Sequence, residues 1–236
     1  MSFAVRPIGL SAGGFVFAPI ISADTSNYNL RTEAIAAGWD QVQPLIATVT
    51  INSGIVVSAN ATNAYAFDTG VTFPAGSTLT LNMQGAYVIG MGGSGAWYGA
   101  QPGGPALRAQ HALTVNATGG VIGGGGGGGR GVYADGYFSA GGGGRTGRTN
   151  SEGTAEGTFA SGGATAYAAG GTTGPGGNAP GPYWSGGGGG GWGAAGGSGY
   201  IYGSGPTAVG GAGGAAVVGN SNITWIATGT RYGAIT

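Results

Sequence analysis

Gly187–Gly199 reads GGGGGWGAAGGSG, and how that stretch is read decides the fold. Bare glycine runs are ordinarily linkers, because glycine loses the most backbone freedom on folding and has no side chain to bury in return. Here Trp192, Ala194, Ala195 and Ser198 interrupt the run yet spare every third position, leaving Gly187, Gly190, Gly193, Gly196 and Gly199 as one stripe. Three residues make one turn of a polyproline II helix. The spacing returns at Gly90 and Gly93, at Gly120, Gly123, Gly126 and Gly129, at Gly141, Gly144 and Gly147, and at Gly171, Gly174 and Gly177. Collagen is excluded, since Ala, Thr and aromatic residues break its strict period and proline is scarce. An isolated helix of this type makes no internal hydrogen bonds, so its N–H and C=O groups need outside partners. With hydrogen in place of side chains, neighbouring helices can approach closely enough to supply them. Each bond contributes about 1 kcal/mol net, so many must form together.

Sixty of the 236 residues are glycine, but only seven lie in residues 1–84, so the composition changes near Gly85. A disordered tail would carry more charge and less apolar content than the 6% charged and 41% hydrophobic residues here. The net charge is zero, which argues against a nucleic-acid partner held through its phosphates. Arg130, Arg145 and Arg148 sit among glycines as in RNA-binding Gly-Arg segments, but without a basic surround. The absence of Cys rules out disulfides and thiolate metal sites. Residues 8–23, IGLSAGGFVFAPIISA, have the apolar character of a signal peptide. Their glycines and proline and the lone preceding Arg6 argue against cleavage, and the stretch is too short and broken to span a bilayer. It reads as an extended arm, residues 1–26, that docks on a neighbouring subunit.

One helix is expected in SNYNLRTEAIAAG, residues 26–38, with Ser26 or Asn27 as N-cap and Gly38 as the stop. Beyond it PLIATVTI, GIVVSA, STLTLNM and AYVIG are β-branched runs broken by Gly, Asn and Pro. The expected fold is mostly β and irregular. A small β-rich body with one short helix (27–89) is followed by a polyglycine II sandwich (90–219) and a strand returning to the body (220–236).

FPAGSTLTLNMQGAYVIGMGGSG (73–95), GGPAL (103–107), GGVIGGGGGGGRG (119–131) and VVGNSNITWIATGTRYGAI (217–235) resemble the glycine-rich tip proteins of phage tail fibres. The similarity is to the adhesins that cap the long fibres of T-even-type phages. It implies a β-rich attachment domain, a sandwich of packed polyglycine II helices, and loops at the far end that touch a bacterial receptor, either an outer-membrane protein or a surface glycan. It also implies a place in the virion, seated on fibre or tail subunits through the N-terminal region. The arm and NYNLRTEAIAAGWD look more like tail proteins of siphophages, which leaves fibre, tail and capsid open as the place of attachment.

Rival readings are poorer. With one His, no Cys and no Lys, the chain lacks a concentrated reactive set, and no catalytic residue, cofactor or metal is expected. His111 reads as structural, Glu152 and Glu156 as solvated acids, and matches to G-x-G-x-x-G carry no weight in so glycine-rich a chain. A purely structural fibre cap or capsid decoration protein is the runner-up. An ice-binding bundle would need an aromatic-poor face, whereas the inserts are rich in Tyr and Trp.

Eight glycine runs are counted, at about 90–95, 99–104, 119–131, 141–147, 161–163, 170–177, 186–199 and 210–214. Alternating directions would put the connections 96–98, 132–140, 164–169 and 200–206 at the end away from the body. These hold Trp97 and Tyr98; Tyr133, Asp135, Tyr137 and Phe138; Tyr167; and Tyr200 and Tyr202, the candidate receptor-binding residues. Tyr and Trp give large rigid contact area at low entropy cost. Trp192 and Trp225 read instead as caps on a hydrophobic core.

Overall fold

The computed structural model describes residues 13–95, 100–130, 132–134, 137–139, 187–201 and 205–236. Its body is a three-sided parallel β-solenoid. The first face carries β1 (Phe15–Phe17), β2 (Ile20–Ile21), β5 (Leu45–Ile51), β8 (Thr78–Met83), β11 (Leu113–Asn116) and β18 (Ile223–Ala227). The second carries β3 (Thr25–Ser26), β6 (Val56–Ser58), β9 (Tyr87–Ile89), β12 (Val121–Gly123) and β19 (Thr230–Tyr232). The third carries β4 (Tyr28–Asn29), β7 (Phe67–Asp68), β10 (Leu107–Arg108) and β17 (Val217–Val218). The chain visits the faces in cyclic order, each circuit laying one rung on the last with parallel pairing throughout. Off the solenoid lie two antiparallel hairpins, β13 (Val132–Ala134) with β14 (Tyr137–Ser139) and β15 (Gly199–Ile201) with β16 (Gly205–Ala208).

Register stacks like residues along the solenoid axis. On the first face Val49, Leu81, Val115 and Trp225 are aligned and point inward. On the third, Tyr28, Phe67, Leu107 and Val217 make a second column. Alternation within β5 and β8 keeps one side of each strand in this core. The corner between first and second faces is turned by Gly54, Gly85, Gly119 and Gly229, all left-handed with φ from +60° to +78°, where a side chain would be strained.

Outside the third-face column runs a polar ladder, Asn29–Asp68–Arg108. Arg108 grips Asp68 with two bonds, Nη2–H to Oδ2 at 2.6 Å and Nε–H to Oδ1 at 3.1 Å, while Asn29, Gln110 and the Gly70 N–H also donate to the carboxylate. The Tyr65 ring covers the guanidinium at 4.1 Å. The carboxylate is thus buried but saturated, which makes the ladder structural.

Three sequence expectations change. The sequence places residues 1–26 in an extended arm, but residues 15–26 form the first rung, because Phe17 and Ile21 alternate inward beside Ala47 and Ile51. The helix is α1 (Leu30–Ala36), capped by Asn29, whose Oδ1 accepts from the Thr32 N–H at 2.9 Å. It begins later than expected because Tyr28 and Asn29 pair with β7, and Gly38 (φ +102°) ends it. Residues 107–123, assigned from sequence to the glycine-rich part, instead supply β10, β11 and β12 of the solenoid.

The Tyr28 hydroxyl is buried and has no hydrogen-bond partner among the described residues. Burial, and after it the nearby Glu33 charge, push its phenol well above the usual tyrosine range. A pKa raised by folding leaves stability intact below about pH 10, where an unfolded tyrosine ionises, and removes it as pH rises further. Tyr28→Phe should therefore raise stability by about 1 kcal/mol at neutral pH and flatten the alkaline decline, checked by urea unfolding between pH 7 and 11.

Candidate functional site

Both glycine-rich passages leave the solenoid at one corner, between the second and third faces. The first runs from the end of β9 to β10, the second from the end of β12 to β17. Among the described residues they supply six segments, 90–95, 100–105, 124–130, 187–191, 194–199 and 209–215. Hydrogen bonds at a spacing of three residues fix their directions. Gly90 and Gly93 donate to Gly123 and Gly126, so those segments run parallel. Gln101 and Gly104 donate to Ser94 and Met91, running back. Gly187, Gly190 and Gly193 donate to Arg130, Gly127 and Gly124 at 2.7–2.8 Å, and are antiparallel to 124–130. Gly127 and Arg130 donate to Ala194 and Gly197, a parallel pair, while Gly211 and Gly214 donate back to Gly128 and Gly125. Segment 124–130 is central, bonded to the other five.

Approach this close admits no side chain. A Cβ on Gly125 would lie 1.8 Å from the Met91 carbonyl oxygen, and one on Gly127 1.8 Å from that of Gly211. On Gly103 and Gly190 the distances would be 1.9 and 2.2 Å, again to backbone oxygens that cannot move aside alone.

The six segments alternate outward and inward. At the solenoid end the chain turns at Trp192–Gly193, where φ of Gly193 is +63°. Trp192 is buried there in a small core with Val56 and Ile89, its ring 6.1 Å from Tyr87 and 6.0 Å from Tyr232. Run 186–199, read from sequence as one crossing, is therefore two, and the chain reverses at Trp192, which interrupts the run. The count of eight fails with it: Gly187 bonds to Arg130, so it starts at the far end, whereas three intervening runs would have started it at the body. Trp192 and Trp225 do cap hydrophobic cores. Trp225 packs on the main one and donates from Nε1 to Asn220 Oδ1 at 2.9 Å.

The opposite end is where 95 and 100, 130 and 187, and 199 and 209 meet. Hairpin β13–β14 follows 130, β15–β16 joins 199 to 209, and β13 lies against β15. This places the backbone of Tyr133, Tyr137, Phe138 and Tyr200 on two adjoining hairpins. Trp97, Tyr98, Asp135, Tyr167 and Tyr202 lie outside the described residues. Arg130 also stands at this end, with its Nε buried. His111 sits in the turn before β11, its ring 4.8 Å from Phe73. Among the described residues no group of three or more His, Cys, Asp or Glu could hold a metal, and no helix is long and apolar enough to cross a membrane.

This architecture has known relatives. The family model of the phage tail fibre adhesin Gp38 matches residues 17–236. The chain belongs to the Gp38 tail fibre adhesin family. It is accordingly a bacteriophage tail fibre protein and a component of the virion. A solved structure, the gp37–gp38 adhesin tip complex of the long tail fibre of bacteriophage S16, has the same fold. The TM-score is 0.65 at 24% identity, over 94% of this adhesin and 82% of that chain. No curated protein sequence matches the adhesin.

Proposed function

We propose that the adhesin caps the end of a tail fibre and recognises a bacterial surface receptor through aromatic loops at the far end of a polyglycine II sandwich. One observation carries this reading: the described outward segments all lead to one end, away from the solenoid, where two aromatic hairpins adjoin. Backbone bonding at a period of three, with glycines where a Cβ would strike a neighbouring segment's backbone, supports the polyglycine II assignment. The S16 gp38 protein occurs in complex with gp37, which supports a fibre subunit as a partner of this adhesin. Rigid two-torsion aromatics on a scaffold of backbone bonds would be pre-organised for contact, which limits the entropy lost on binding.

Purified adhesin should compete with phage for adsorption to host cells. Tyr137→Ala and Tyr200→Ala should each weaken that competition by about 1 kcal/mol, near five-fold, with melting unchanged. Wild-type adhesin that leaves adsorption untouched would instead support a structural cap without host binding.

A further inference from the structure

The first face of the solenoid has an outer surface unlike the other two. None of its six strands contains a charged residue. The second face carries Arg231, and the third carries the Asp68–Arg108 pair. Outward from the first face, Thr48, Thr80, Thr114 and Thr224 stand in register on four successive rungs. Aliphatic side chains flank the row, with Ile20 61% and Ile226 67% exposed and Val16 at 36%. The face also lies opposite the corner from which both glycine passages leave.

We infer that this face is the surface on which the adhesin seats on its fibre subunit, an inference that rests on the capping function proposed above. Position and chemistry agree. A partner here leaves the aromatic hairpins clear. β-Branched threonines are stiff at χ1, so the row is flat and loses little rotamer freedom when covered. Each hydroxyl both donates and accepts, and can be satisfied by a neutral polar surface. The partner surface must itself be uncharged, because a charge pressed onto this face would be desolvated with no counter-ion. For the same reason the face suits neither nucleic acid nor an anionic membrane, both of which need cations. It measures about 23 Å along the strands by about 20 Å across the rungs. That is on the order of 500 Å² in projection, enough for the centre of an interface that takes about 800 Å² from each partner.

The test is co-purification of the full adhesin with the C-terminal part of the phage's own fibre subunit. Thr80→Arg and Thr48→Glu, opposite in charge, should each weaken the complex about ten-fold or more, since desolvation rather than attraction decides. Val209→Arg, on an exposed residue near the far end, should bind as wild type. Melting temperatures establish that each variant is folded, and Thr80→Ser, which keeps the hydroxyl, should retain binding. If folded Arg and Glu variants co-purify like wild type, the face is wrong while capping stands. If wild-type adhesin does not bind the fibre subunit, capping itself is wrong and the inference falls with it. If the face instead holds two adhesin copies together, wild type will sediment as a dimer that Thr80→Arg dissociates, which also overturns it.

Discussion

Gly127→Ala is expected to cost roughly 4 kcal/mol, a large loss for one methyl group. The new Cβ would lie 1.8 Å from the Gly211 carbonyl oxygen, well inside contact distance, and no side chain stands between to give way. Relief requires segments 124–130 and 209–215 to part. That strains the bonds Gly127 makes to Ala194 and receives from Gly190, and the bonds from Gly211 to Gly128 and Gly214 to Gly125. Four backbone bonds at about 1 kcal/mol each set the magnitude. In a chain of this size that is a fall of about 10 °C in melting temperature, with faster amide exchange at Gly211 and Gly214, the donors of the bonds between the two segments. Gly190→Val should act alike, its Cβ meeting Ala194 O at 2.2 Å. Ala195→Val, on an exposed position of the same array, should change stability by less than about 0.5 kcal/mol. Equal melting of all three variants and wild type would mean that the glycine segments do not pack.

Phe67→Ala should destabilise the solenoid by about 3–5 kcal/mol. Phe67 is fully buried, stacks on Tyr28 at 5.5 Å between ring centroids, and is aligned with Leu107 on the next rung. Truncation opens a cavity in the middle of a column whose neighbours are fixed by parallel pairing on both sides, so collapse is restricted. Urea unfolding measures the loss, and a cost below about 1 kcal/mol would mean that the rungs slide to fill the gap.

Much of the glycine-rich half could be read from its spacing. The stripe Gly187, Gly190, Gly193 is the set of donors to segment 124–130, and Gly90 and Gly93 are a second such set. The stripe is visible because close approach leaves glycine no substitute, while Ala194, Ala195 and Ser198 face directions with room. Trp192 misled the count of crossings, since nothing local distinguishes a residue that interrupts a run from one that reverses it; what holds the turn is burial against Tyr87 and Tyr232, far away in sequence. The solenoid was legible only as strands. Its signal is present in TVTINSG, LTLNMQG and LTVNATG, each a first-face strand with an Asn near or just beyond its end, two or three residues before a corner glycine, Gly54, Gly85 or Gly119. The repeat of roughly 30 residues is masked because third-face strands are only two residues long and the next corner varies from Asn27 alone to the whole of 124–216. Of the far end, only the aromatic inserts were legible, and the direction of the segments around them depended on pairings that no local pattern encodes.

The shared exit corner also dictates an order of synthesis. β12 and β17 belong to one circuit but are separated by residues 124–216, so the ribosome must deliver the entire long passage before that circuit can close. Until then the early rungs present the unpaired edge of β11, which only β18 will cover, a long-lived template for wrong partners. Tyr232, on the last strand, accepts from the Gly124 N–H, so the chain's final residues clasp the root of the passage that was made long before them. Nascent chains stalled before Ile223 would therefore be the aggregation-prone species, and phage assembly would depend on completing the tail end of the chain rather than on the much larger glycine array that precedes it.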